Sequence, residues 1–140
     1  MMATNEYTKP IPNLDDPDMK PFWAATREHR LTAQRCTHCG ILRFPALPIC
    51  DRCLDEGMEW VDVSTRGIVW SYVVYHRAFH PGFADQIPYV TAIVENEDGV
   101  RYTGRVLTPA AAVDVGTEVE AVFEDATAEF TMVHWVPRAS

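Results

Sequence analysis

Two features of this 140-residue sequence predict a mainly β protein in which a short helix and a metal-held ribbon precede a small barrel. All four cysteines lie in two C-x-x-C pairs, Cys36/Cys39 and Cys50/Cys53, within a stretch too poor in apolar residues to build its own core. After Val61 the chain changes to β-formers, arranged as five strand-length stretches punctuated by Gly, Pro and Asp-Gly. The boundaries expected are residues 1–34 for an N-terminal arm and helix, 35–60 for the ribbon and 61–140 for the barrel.

Composition narrows the function classes. Apolar residues make up 47% and charged residues 23%, the balance of a globular protein with room for one ordinary core. No run approaches the roughly 18 apolar residues of a membrane helix. The polar, proline-bearing start carries no basic or apolar leader, so cytoplasm is the expected compartment. The net charge of −8, from 12 basic and 20 acidic residues, repels phosphate backbones and makes nucleic acid an unlikely main partner.

Residues 1–17 hold Pro10, Pro12 and Pro17 among polar residues and read as an extended arm. Asp18-Met19-Lys20-Pro21 reads as a helix start, with proline in the first turn, and the helix is expected to end near Leu31 to Ala33. It carries Phe22 and Trp23. They either cover this chain's own core or dock onto another subunit, since a short amphipathic helix buries little alone.

The cysteine spacing carries chemistry. Two residues between cysteines let both sulfurs of one turn reach one ion, and two such turns supply four tetrahedral thiolates. Cys36, Cys39, Cys50 and Cys53 are therefore expected to hold a structural metal. Four-thiolate geometry suits iron as well as zinc, and zinc is favoured. A disulfide framework needs an oxidising compartment, and a redox C-x-x-C leaves the second pair idle. Gly40 suits the positive φ of a knuckle, His38 is expected to face solvent, and Leu42 to Ile49 is expected to form a small hairpin between the knuckles. Trp60 closes the ribbon as packing.

The barrel strands follow. Ile68 to Tyr75 is a long β-former run opened by Gly67, and Tyr89 to Glu95 alternates with Val90, Ala92 and Val94 on one face. Asn96-Glu97-Asp98-Gly99 is a hairpin turn returning through Val100 to Leu107, with Gly104 expected as a bulge or bend. A connector around Pro109 to Ala112 leads to Glu118–Glu124, and Phe130–Val136 is the last strand. Five strands, the first long, with a connector after the third, fit an OB-fold, with an SH3-like barrel as competitor.

The sequence has no phosphate loop, H-E-x-x-H or G-x-S-x-G, and no catalytic residue is assigned. The longest irregular break, His76 to Tyr89, holds Arg77, Phe79, His80 and Phe83. A loop on a rigid barrel is where binding groups sit without disturbing the core, so these four mark a substrate or partner loop. Ordinary loop histidines are the competing reading for His76 and His80.

The segment from Phe22-Trp23 to Leu31, the strings C-T-H-C-G-I-L-R-F-P and C-D-R-C, and Trp60 resemble an established family. So do G-I-V-W-S-Y-V-V-Y-H-R, P-Y-V-T-A-I-V-E and V-G-T-E-V-E-A-V-F-E. The chain resembles the acyl-CoA-associated proteins built from a rubredoxin-like zinc ribbon and a C-terminal OB-fold. The likeness covers about residues 19–136; the last strand, F-T-M-V-H-W-V-P, departs from the shorter x-P-x-F ending of many relatives. It implies a zinc cofactor and an accessory role beside a thiolase-like or aldolase enzyme acting on CoA thioesters, with acyl-CoA at a shared site. In some relatives the partner is a hydratase. A stand-alone nucleic-acid-binding OB protein is the alternative, on fold analogy alone.

Overall fold

The computed structural model describes residues 7–138, so the first six residues of the expected arm lie outside the described part. A single helix, α1 (Lys20–Arg27), precedes three ribbon strands, β1 (Thr32–Cys36), β2 (Leu42–Arg43) and β3 (Met58–Asp62). Five barrel strands follow: β4 (Arg66–Tyr75), β5 (Tyr89–Asn96), β6 (Arg101–Val106), β7 (Glu118–Asp125) and β8 (Thr131–Pro137).

Helix α1 is shorter than its sequence pattern suggests. Pro21 sits in its first turn as expected, but the Asp18 side chain does not cap it. The last turn is closed by His29, whose φ of 59° is left-handed. There the His29 amide donates to the Thr26 carbonyl and the Arg30 amide to the Ala25 carbonyl, at 2.8 and 3.0 Å. This pair of bonds is a Schellman closure. Of the residues expected to finish the helix, Leu31 leads into β1 and Thr32 and Ala33 begin it.

The ribbon is a three-stranded antiparallel sheet in the order β2-β1-β3. Its hairpin pairs Gln34 with Arg43 and Arg35 with Leu42, and so wraps the first cysteine knuckle. The hairpin expected between the knuckles is therefore displaced toward the N-terminus. Residues 44–49 form no strand; the Phe44-Pro45 peptide there is cis.

The five barrel strands close in the order β4-β5-β6-β8-β7, with β4 returning to β7 through Arg66–Ile68. β6 and β8 run parallel and meet at Val106 and Trp135, which identifies the OB topology. Alternation decides which side chains enter: Val90, Ala92 and Val94 from β5 and Tyr102 and Val106 from β6 are at most 3% exposed. Trp135 is the largest fully buried side chain. The irregularity of the barrel lies between Val69 and Ser71, where Trp70 turns outward, 45% exposed, beneath the Arg101 guanidinium. Gly104, expected as a bulge, pairs regularly with Ala92. Its lack of a side chain serves packing: a Cβ there would stand 3.0 Å from the Trp135 ring.

Ribbon and barrel share one apolar cluster. Phe22 meets Phe44 at 4.6 Å between ring centroids, and Phe44 meets Tyr102 at 4.6 Å. The Tyr102 hydroxyl donates to the Thr32 carbonyl at 2.8 Å, tying the barrel wall to the first ribbon strand.

Candidate metal centre and barrel-face loop

The four cysteine sulfurs converge as their spacing requires, all lying within 4.8 Å of one another. Cys36 Sγ is 3.5 Å from Cys53 Sγ, and Cys39 Sγ is 3.7 Å from Cys50 Sγ. A tetrahedron with ~2.3 Å zinc–sulfur bonds has edges of about 3.8 Å, so the arrangement fits zinc. Sulfurs bridged as a disulfide stand only about 2.0 Å apart. Four protein thiolates fill the coordination sphere and leave no open position, which makes this centre a cross-link.

Local backbone geometry favours the thiolates of Cys50 and Cys36. The Arg52 and Cys53 amides donate to Cys50 Sγ at 3.4 and 3.5 Å, and the Cys39 amide donates to Cys36 Sγ at 3.5 Å. Burial of Cys50 works against its thiolate, but the Cys53 and Arg52 amides and the neighbouring thiols outweigh it and bring the pKa down to about 6. Cys36 is lowered too, first by the Cys39 amide. His38 faces solvent beside them.

Arg43 was not singled out by sequence, and the structure places it against the centre. It is 9% exposed; Nη2 donates to Cys50 Sγ at 2.8 Å and Nη1 to Asp51 Oδ1. A buried guanidinium beside a cluster of four thiolates offsets part of their negative charge. Only the β1–β2 hairpin brings Arg43 there, so no motif announces it.

In the loop between β4 and β5 the four expected residues divide. Phe79 projects into solvent, 72% exposed, with the Arg77 guanidinium 5.3 Å from its ring centroid. His80 faces inward and accepts the Gly82 amide at Nδ1, 3.0 Å, capping the turn Pro81–Phe83. Phe83 stacks on Tyr89 at 5.1 Å, and Tyr89 stacks on Tyr75 at 5.0 Å. Phe83 and His80 thus hold the loop down, while Arg77 and Phe79 stand out from it.

Phe22 and Trp23, read either as cover for this chain's own core or as a docking surface, both pack against that core. Phe22 is 3% exposed and fills the junction between ribbon and barrel, so it has no free face for another subunit. Trp23 is half-buried, with its ring 5.3 Å from Phe130. The closely spaced β8 and ribbon supply the cover that a short helix lacks in isolation.

A second polar group also escaped sequence reading. His134 of β8 is 8% exposed, and its Nε2 lies 2.6 Å from Glu124 Oε1. Its signal was present, since a histidine inside an apolar strand is unusual, but its partner is set by the β7–β8 register.

Comparison with known proteins agrees with this architecture. Residues 23–59 match the model of the ChsH2 rubredoxin-like zinc ribbon domain, and residues 60–124 match that of the ChsH2 C-terminal OB-fold domain. A DUF35 domain-containing scaffold protein of Methanocaldococcus jannaschii is 38% identical over 104 residues, which are 72% of this chain and 73% of that protein. A probable enoyl-CoA hydratase alpha subunit of Thermomonospora curvata is 34% identical over 113 residues, 79% of this chain. The match spans only 35% of that longer protein. Among solved structures, a chain of an Ltp2-ChsH2(DUF35) aldolase superposes with a TM-score of 0.80 at 31% identity, covering 92% of this chain and 98% of that one. With both its zinc ribbon and its OB-fold matched in order, the chain belongs to the ChsH2-type, or DUF35, family.

Proposed function

We propose that this chain is a non-catalytic accessory subunit of a thiolase-like or aldolase enzyme acting on CoA thioesters. In this role it helps enclose acyl-CoA and stabilises its partner. The observation that carries the reading is the near-complete correspondence with a chain of an Ltp2-ChsH2(DUF35) aldolase, 92% of one chain against 98% of the other. The closed four-thiolate centre supports it as well, because such a centre offers no position for substrate. Cytoplasm remains the compartment we favour, since four thiols held for metal suit reducing surroundings.

Within that complex the β4–β5 loop caps the partner's substrate channel. Phe79, exposed and topped by Arg77, supplies an apolar wall and a guanidinium, the pair that an acyl-pantetheine arm and its phosphates require. Phe83 braces the wall from inside through its stack on Tyr89.

Affinity capture with the tagged, zinc-loaded chain followed by mass spectrometry tests the role. A thiolase-like or aldolase subunit is expected, and the chain alone is expected to turn over no CoA thioester. Robust turnover by the single pure chain overturns the reading. For the loop, Phe79→Ala in the assembled complex is expected to raise KM; unchanged kinetics leave the loop as surface packing.

A further inference from the structure

The loop that leaves Phe79 outside also roofs a cavity of about 240 Å³ on the barrel flank. It lies where β6 and β8, joined by a single residue pair, diverge. Its aromatic wall is the stack Tyr75–Tyr89–Phe83, with interplanar angles of 20° and 22°. Gly104 contributes only backbone to its lining, since a side chain there would turn toward Trp135 in the barrel core.

Its Lys and Arg side chains face no acidic residue within the lining. The Arg105 guanidinium lies 5.0 Å from the Tyr89 ring centroid and the Lys9 ammonium 5.4 Å from that of Phe83. Arg105 donates to Gln86 Oε1, yet neither cation has a carboxylate partner among the described residues. His134 also lines the cavity, nine-tenths buried, with Nε2 on Glu124. Its Nδ1 is buried without a partner, as is Arg105 Nε. In a chain of net charge −8, two cations with no carboxylate at ion-pair distance line an aromatic pocket. A ligand placed here exchanges water for cationic donors and ring faces together, the composition expected of a small-molecule site.

We infer that this cavity binds a small organic anion, a carboxylate or phosphate monoester on a flat apolar body of one or two rings. The body lies along the Tyr75–Tyr89–Phe83 stack and the anionic head meets Arg105 and Lys9. The volume sets the limit, since pockets for drug-sized ligands run about 300–1,000 Å³ and this one is smaller. The site belongs to this chain alone and does not depend on the proposed partner.

The test titrates 2-naphthoate, 2-naphthyl phosphate and the neutral 2-naphthamide into the zinc-loaded full chain, followed by NMR of the Tyr75, Tyr89 and His134 rings. Both or either of the anions is expected to give saturable shifts at these rings, and the stronger of them identifies the head group. The amide is expected to bind at least about tenfold more weakly, equivalent to ~1.4 kcal/mol. Arg105→Met is expected to weaken the anion about tenfold and Arg105→Lys less, with zinc content and far-UV circular dichroism unchanged. If Arg105→Met misfolds, Lys9→Met and Arg105→Lys decide by the same comparison. Equal binding of amide and anions, shifts centred elsewhere, no saturation by either anion, or variants that bind as the parent does overturn the proposal.

Discussion

Cys50 of the ribbon and Val94 of the barrel are both wholly inaccessible to water, but different forces keep them there. Around Val94 lie Val69, Val90, Val106, Val119 and Trp135, a continuous apolar centre that buries enough surface to hold five strands together. Around Cys50 lie three more sulfurs, a guanidinium and a two-residue strand, while Ile49 and Leu54 beside it stand 46% and 75% exposed. The barrel is organised by area removed from water and the ribbon by coordination. The difference shows how one chain of modest length can carry two differently stabilised parts, joined through Phe22, Phe44 and Tyr102.

Removing the coordination gives the largest expected effect. Cys50→Ser, or exhaustive chelation, withdraws a metal whose binding contributes about 10–16 kcal/mol in small zinc modules. Amide exchange is expected to lose protection throughout β1, β2 and β3 while β5 and β6 stay protected; protection retained in the ribbon breaks the comparison. Metal analysis of the parent protein is expected to find one zinc per chain.

The converse variant acts on the barrel. Trp135→Ala opens a cavity in its centre and is expected to cost about 3–5 kcal/mol in urea unfolding, with zinc content unchanged. Gly104→Ala presses a methyl against the same ring from the other side, at 3.0 Å, and should cost about 1–3 kcal/mol. A Gly104→Ala protein as stable as the parent argues that β6 can shift, and that the barrel is softer than its packing indicates.

The smallest effect tests the joint. Tyr102→Phe removes one hydrogen bond to Thr32 and is expected to cost about 0.5–1.5 kcal/mol. Burial, and secondarily Asp98, raises the Tyr102 pKa well above its ordinary 10.0. In the unfolded chain the phenol ionises near pH 10, whereas the folded protein retains the proton. Stability from this group is therefore complete below pH 10 and declines above it. The urea midpoint of the parent is expected to fall more between pH 9 and pH 11 than that of Tyr102→Phe; equal slopes remove Tyr102 from the account.

What could be read from the sequence was what depends on neighbours along the chain. The C-x-x-C pairs fixed the metal ligands because two residues set the distance between sulfurs, and the alternation of Val90, Ala92 and Val94 fixed the inward face of β5. The helix end was not legible, because His29 takes a left-handed conformation usually left to Gly or Asn. Arg43, His134 and the fit of Gly104 beneath Trp135 depend on register between strands, which spacing along one strand does not reveal. Phe22 was ambiguous for the same reason: its cover comes from Phe44 and Trp60, 22 and 38 positions away.

The closure of the barrel also sets an order in time. Gly67 must find Val119, and Val106 must find Trp135, across long stretches of chain, whereas Gln34 meets Arg43 almost at once. Loop closure makes the distant pairings slow, because their entropy is lost before their contacts form. After zinc binds, the hairpin around Cys36 is thus the early event in refolding, and the β4–β7 seam is the late one. Until that seam closes, the edges of β4 and β7 are open to other chains, so refolding yield should fall with protein concentration even when metal is abundant.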